Sequence, residues 1–190
     1  MTSKSIAIRW HSRAGQGAIT AANALSSLAI SAGLFGQAFP EFGAEKRGAP
    51  VKVFNRLSDQ AITISTEVEE PDLVILLDTT LVNHELSYQD ILAGLKTNGT
   101  LIINTEQAHT KFEKLFQGKI YHIAASKIAL ETLKRDLPNV PMLAAILKVS
   151  NLLSSTQIEQ PLRELLSESF PPPIVEANMQ AFKKAYQIKI

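Results

Sequence analysis

The chain has 190 residues, 45% of them hydrophobic, which is enough for one domain with its own core and no need of metal or disulfide support. Nineteen basic against eighteen acidic side chains leave a net charge of +1, so no overall field draws the molecule to nucleic acid or to an anionic membrane. Cysteine is absent, which excludes disulfides, a thiolate nucleophile and cysteine-held iron–sulfur clusters from this chain.

The first residues, Met1 to Ile8, carry one lysine and no long apolar run, and no stretch reaches the roughly 20 apolar residues of a membrane helix. The expectation is a soluble, cytoplasmic protein. Ser5 to Trp10 is β-rich and apolar, Ser12 to Gly17 is a loop of small residues, and Ala18 to Ala32 shows helical spacing through Ile19, Ala22, Leu25, Leu28 and Ala29. Gly33 is placed to stop that helix. Strand, tight loop and helix make the first half of a βαβ unit.

Val51 to Leu57 alternates apolar and polar residues, and beyond Ser58-Asp59-Gln60 the run Ala61 to Ser65 is expected to return as the second arm of an antiparallel hairpin. Leu73 to Leu77 is continuously apolar, as in a central strand covered on both faces. A helix over Tyr88 to Leu95, a strand over Thr100 to Asn104 and another over Ile120 to Ala124 continue the alternation. Helices alone follow, over Lys127 to Arg135, Met142 to Leu153, Ile158 to Leu166 and Ile174 to Tyr186, set apart by Pro138, Pro141 and the prolines at 171–173. The fold class expected is α/β: a mostly parallel sheet with room for an antiparallel part, helices on both faces and a helical C-terminal third, in one domain over residues 1–190.

Two constellations carry chemistry. Ser12-Arg13-Ala14-Gly15-Gln16-Gly17 lies between a strand and a helix N-terminus, where unpaired N–H groups and the helix dipole favour an anion and small residues permit close approach. Arg13 adds a bidentate partner for phosphate or carboxylate. A tight turn with close helix packing explains Gly15 and Gly17 equally well. A dinucleotide fingerprint is disfavoured, because Thr20 stands where a third glycine or alanine belongs and no acidic residue ends a second strand on schedule. His11, directly after the first strand, is taken as a structural hydrogen-bonder.

The second constellation is Gln37 to Val51, QAFPEFGAEKRGAPV, whose prolines, glycines, phenylalanines and charges suit an ordered loop or a broken strand that presents a binding surface. Lys46 and Arg47 beside Glu41 and Glu45 fit either an ion-pair lattice or an anion site. Trp10 is expected in the core, whereas Phe39 and Phe42 suit core and interface equally.

Together, Arg9 to Ala18 (RWHSRAGQGA), Gln37 to Gly43 and Arg47 to Val51 resemble the gamma subunit of pyruvate and related 2-oxoacid:ferredoxin oxidoreductases. The likeness runs on through LVILLDTTL at 73–81, LIINT at 101–105 and PMLAAILK at 141–148. The family's loop carries glycine where Ser12 and Ala14 stand here. The resemblance implies a subunit of a complex in which thiamine diphosphate cleaves a 2-oxoacid, iron–sulfur clusters pass electrons to ferredoxin and coenzyme A takes the acyl group. It implies that thiamine diphosphate and the clusters sit on partners: alpha, beta and ferredoxin-like delta subunits, with ferredoxin met indirectly and neither nucleic acid nor membrane involved. It leaves to this chain support of the active site and a share of the coenzyme A site, with Arg13, Gly15, Gln16, Gly17 and Arg47 as candidate contacts and no catalytic or metal-binding residue. A homodimer of the isolated chain stays open, as do a freestanding phosphate- or nucleotide-binding module and a ligand-free architectural subunit. The 2-oxoacid is pyruvate or a relative of it.

Overall fold

Strand β1 (Ser5–Arg13) is buried without a break from Ile8 to Ser12, covered on both faces, and the protein is built in layers around the sheet that it belongs to. Ile8 and Trp10 turn to one face and Arg9 and His11 to the other, as strand geometry requires. The computed structural model describes residues 5–41, 48–84, 86–108 and 110–189.

From β1 the chain turns through Gly17 into α1 (Ala18–Ser31), which ends at Gly33 with φ 85°. β2 (Phe35–Pro40) and β3 (Pro50–Ser58) follow, then β4 (Leu73–Leu76), β5 (Thr100–Asn104) and β6 (Lys119–Ile123). The sheet order is β2-β3-β1-β4-β5-β6. β1, β4, β5 and β6 run parallel, whereas β3 is antiparallel to both of its neighbours, β1 and β2. β1 and β2 therefore share a direction with β3 inserted between them, so the expected βαβ unit exists in a split form.

That insertion corrects one expectation. Residues 61–65 form no strand, because both edges of β3 are already occupied by β1 and β2. The Gln37–Val51 segment is a broken strand: its start lies in β2 and its end in β3, with residues 42–47 outside the described set. The apolar run at 73–77 is central, as expected, and its β4 residues are buried on both faces.

The larger core lies on the α1 face. It joins Ile8, Trp10, Leu25, Ile75 and Ile102 to the C-terminal helices α5 (Ala125–Leu133), α6 (Asn139–Ser150), α7 (Ser155–Ser167) and α8 (Pro172–Tyr186). α6 is buried from Val140 to Leu147, and Pro141 falls in its first turn, where no intrahelical N–H bond is needed. The smaller core covers the other face of β4 and β5, under α2 (Leu81–His84), α3 (Tyr88–Leu92) and α4 (Thr110–Leu115). Helices α2 and α4 are too short to give a periodic signal in sequence.

Asn55 links the layers at the antiparallel end. Its Oδ1 accepts from Trp10 Nε1 at 2.8 Å, and its Nδ2 donates to the Ala22 carbonyl at 2.8 Å and to Ser26 Oγ at 3.0 Å. Trp10 is therefore core, with its one polar atom satisfied.

Candidate functional site

The glycine loop is an extension of β1. Gly15 and Gly17 take φ of 99° and 80°, a region that penalises any side chain, and they turn the chain from strand to helix. Among the described residues positive φ outside glycine occurs only at Lys134 and Asn151, so Ser12 and Ala14 fit the loop without strain. Gly17 also has a packing reason to lack a side chain, because a Cβ there would meet Asn139 Nδ2 at 2.7 Å.

Inside the loop, the Arg13 N–H donates to Gln16 Oε1 at 2.8 Å and the Gln16 N–H donates back to the Arg13 carbonyl at 3.2 Å. Gln16 Nε2 donates to Asp78 Oδ2 at 2.8 Å, just beyond the end of β4. Arg13 Nε donates to Thr80 Oγ1 at 3.0 Å and stands 3.3 Å from Asp78 Oδ2, while Nη1 donates to the Gly48 carbonyl at 3.0 Å. Asp78 in turn accepts from the Thr80 N–H and hydroxyl. Burial pushes the Asp78 carboxyl up, but the Thr80 and Gln16 donors and the Arg13 charge outweigh it and hold the group below its ordinary range.

This network ties the two constellations together. The Ala14 N–H donates to the Ala49 carbonyl at 2.9 Å, and the Gly48 N–H donates to the Ala14 carbonyl at 3.3 Å. Arg13 faces Pro50 in the β1–β3 register. Arg47 and Phe42 lie outside the described residues, as do Glu45 and Lys46. Glu41 is paired with Lys52 at 3.0 Å. Phe39 is half-buried, 5.3 Å from the Phe54 ring, with the Arg56 guanidinium 5.5 Å from its centroid.

Beside the loop is a hollow of about 330 Å3 lined by Ser12, Gly15, Gly17, Thr20 and the first turn of α1. No side chain caps that helix start, and the buried Ser12 hydroxyl has no hydrogen-bond partner. Uncapped N–H groups and a free hydroxyl are donors of the kind that an anion takes up. Of the residues singled out in sequence, Arg13, Gly15 and Gly17 line this hollow, but the guanidinium of Arg13, like the side chain of Gln16, is engaged in holding the loop. Asp78 and Thr80 received no role from the sequence. An acidic residue at the end of a fully buried strand, beside a glycine loop, was the available signal.

On the opposite face, Arg9 is 7% and His11 1% exposed. Arg9 Nε donates to His11 Nε2 at 3.1 Å. Burial, Arg9 and Lys52 push the His11 pKa down to about 3, against a small pull from Asp90, so the ring is neutral at ordinary pH. Accepting at Nε2 fixes its proton on Nδ1. Among the described residues, no cluster of three or more His, Cys, Asp or Glu is placed to hold a metal ion, and no helix is long and apolar enough to cross a membrane.

Residues 7–188 match the family described as pyruvate ferredoxin/flavodoxin oxidoreductase. The chain is similar to the pyruvate synthase subunit PorC of Thermotoga maritima, at 40% identity over 182 residues, covering 95% of this chain and 92% of the relative. It is 41% identical over 182 residues to the pyruvate/ketoisovalerate oxidoreductases common subunit gamma of Thermococcus kodakarensis, covering 94% and 96% of the two chains. The crystal structure of the Thermotoga maritima PORC subunit superposes with a TM-score of 0.83 at 39% identity, over 97% of this chain and 96% of that one.

Proposed function

Because this chain belongs to the pyruvate ferredoxin/flavodoxin oxidoreductase family, we propose that its glycine-loop hollow holds a phosphate of coenzyme A within a complex that oxidises a 2-oxoacid. The chain is a gamma-type subunit of a pyruvate or 2-oxoacid:ferredoxin oxidoreductase, one part of a multi-subunit enzyme and not catalytic alone. With no cysteine it offers no thiolate to an iron–sulfur cluster, in keeping with clusters and thiamine diphosphate carried by alpha, beta and ferredoxin-like delta partners.

The observation that carries the coenzyme A assignment is the joining of the two constellations beside the uncapped start of α1. In the bound state, N–H groups of the first helical turn and the Ser12 hydroxyl donate to a phosphate. Arg13 and Gln16 keep the loop in register, and Arg47, next in sequence to Gly48 and outside the described residues, is the proposed source of positive charge. This chain then contributes binding and orientation, so its effect falls on coenzyme A and not on the oxoacid.

The test is reconstitution with the partner subunits, comparing the native chain with Arg47→Ala and Arg13→Ala. A rise in the KM for coenzyme A larger than that for the oxoacid supports the assignment, and unchanged coenzyme A kinetics in both variants removes it. A purely architectural loop is the second reading, favoured by the internal hydrogen bonds of Arg13 and Gln16. It predicts full assembly with no selective change in coenzyme A kinetics.

A further inference from the structure

Helices α1, α6, α7 and α8, with the turn that follows α5, close around a second hollow of about 130 Å3. Ala24, Leu143, Leu162 and Leu166 line it, and Phe170 and Ile174, each 42% exposed, carry its apolar lining out to the surface. A hollow of this size takes one end of a larger ligand, since a site for a whole drug-sized molecule runs to about 300 Å3 or more.

Three polar groups stand among these walls with hydrogen-bonding capacity unused. Asn178 is buried and its Nδ2 donates to the Ile174 carbonyl at 2.8 Å, but its Oδ1 has no donor among the described residues and is not closed off from water. The Asn139 side-chain amide makes no hydrogen bond among the described residues, and the exposed Arg135 guanidinium makes neither a hydrogen bond nor an ion pair there. No acidic side chain lines the hollow among the described residues.

The hollow adjoins the glycine loop on the same side of the sheet. Thr20 lines both cavities, and Asn139 packs under Gly17, with Nδ2 2.7 Å from where a Cβ would stand. A ligand with a phosphate at the start of α1 therefore has this apolar space beside it. On the coenzyme A reading, the thiol must leave this chain to meet an acyl group on a partner's thiamine, so the end that stays is the nucleotide. Adenine has apolar faces that pack on aliphatic and aromatic side chains, and an edge whose amino group and ring nitrogens suit asparagine amides. An unpaired arginine at the rim suits the ribose phosphate next to the base.

We propose that the hollow among α1, α6, α7 and α8 binds the adenine ring of coenzyme A, with the Asn178 and Asn139 amides meeting its edge. The inference rests on the coenzyme A reading and extends it from the phosphate to the base.

The test is methyl NMR of the full chain, titrated with adenosine 3′,5′-bisphosphate and separately with inorganic phosphate. The hollow is built by helices of this chain, and a purine inside it shifts nearby methyl signals by its ring current, which phosphate cannot do. Saturable shifts of the Ala24, Leu143 and Leu162 methyls with the bisphosphate, absent with phosphate, are expected. No shift at these methyls, or equal shifts with both titrants, overturns the proposal. The Ile19 methyl, beside the glycine loop, reports the phosphate site separately. Shifts at Ile19 alone sink the base pocket and keep the phosphate reading, whereas shifts at Ala24 and Leu143 without Ile19 keep the pocket and count against a phosphate at the start of α1. Ala24→Leu fills part of the hollow and is expected to raise the bisphosphate midpoint about tenfold. If that variant does not fold, the wild-type titrations decide alone.

Discussion

Ala14 and Ala49 face one another across a 2.9 Å hydrogen bond from the Ala14 N–H to the Ala49 carbonyl, although thirty-four residues separate them along the chain. That bond, with its return from the Gly48 N–H, makes one surface of a glycine loop and a broken strand. It also explains why Arg13 works as a clamp: its guanidinium reaches Gly48 on one side and Thr80 and Asp78 on the other.

Asp78→Asn keeps the shape of the clamp but removes the charge facing Arg13 and an acceptor suited to both Gln16 and Arg13. The loop at 13–17 is expected to exchange amide hydrogens about tenfold faster, an opening cheaper by about 1.4 kcal/mol. Exchange mass spectrometry of the loop peptide reads this, with the Trp10 strand unchanged as control.

Gly17→Ala forces an alanine to φ 80° and sets its Cβ 2.7 Å from Asn139 Nδ2, whereas Gly15→Ala meets nothing within 4 Å and suffers from φ alone. Urea denaturation is expected to show a loss of about 1 kcal/mol at Gly15 and a larger one at Gly17. Adding Asn139→Ala recovers only the excess.

Asn55→Ala leaves the Trp10 indole N–H buried without its acceptor and removes the donor to Ala22 and Ser26. A loss of about 2–3 kcal/mol in unfolding free energy is expected, measured by denaturant with tryptophan fluorescence as the probe.

His11 should make the protein acid-sensitive. Its folded pKa, about 3, lies below the unfolded value of 6.5, so between these pH values the unfolded chain binds the extra proton. The stability from the neutral ring is fully present above pH 6.5 and is lost as pH falls towards about 3. The steepest contribution is about 1.4 kcal/mol per pH unit. His11→Gln, whose side-chain oxygen can accept from Arg9, is expected to flatten that slope in thermal melts between pH 4 and 7.

Much of this architecture was legible from periodicity and turn chemistry. LVILL at 73–77 has the pattern of a strand covered on both faces, and Gly33 stops α1 where its φ of 85° favours glycine. The hairpin over 51–65 was misjudged because alternation reports that a strand exists but not which edge it pairs with. Helix α1 delivers β2 to the outer edge of β3, a tertiary event that no local window contains. At the site, the glycines were legible because backbone conformation is local, whereas the commitment of Arg13 and Gln16 to Asp78 is a contact across more than sixty residues. The unpartnered Nδ1 of His11 depends likewise on burial, which a six-residue strand pattern does not report.

The most direct test of the shared surface is the Michaelis constant for coenzyme A in the reconstituted complex with Ser12→Ala, a change that removes one unpartnered hydroxyl and disturbs no hydrogen bond of the free chain. The expected result is a rise of about tenfold for coenzyme A, the worth of one bond to a charged acceptor, with the constant for the 2-oxoacid unchanged. Equal constants for wild type and variant, in complexes assembled to the same extent, would contradict a phosphate site at the start of α1.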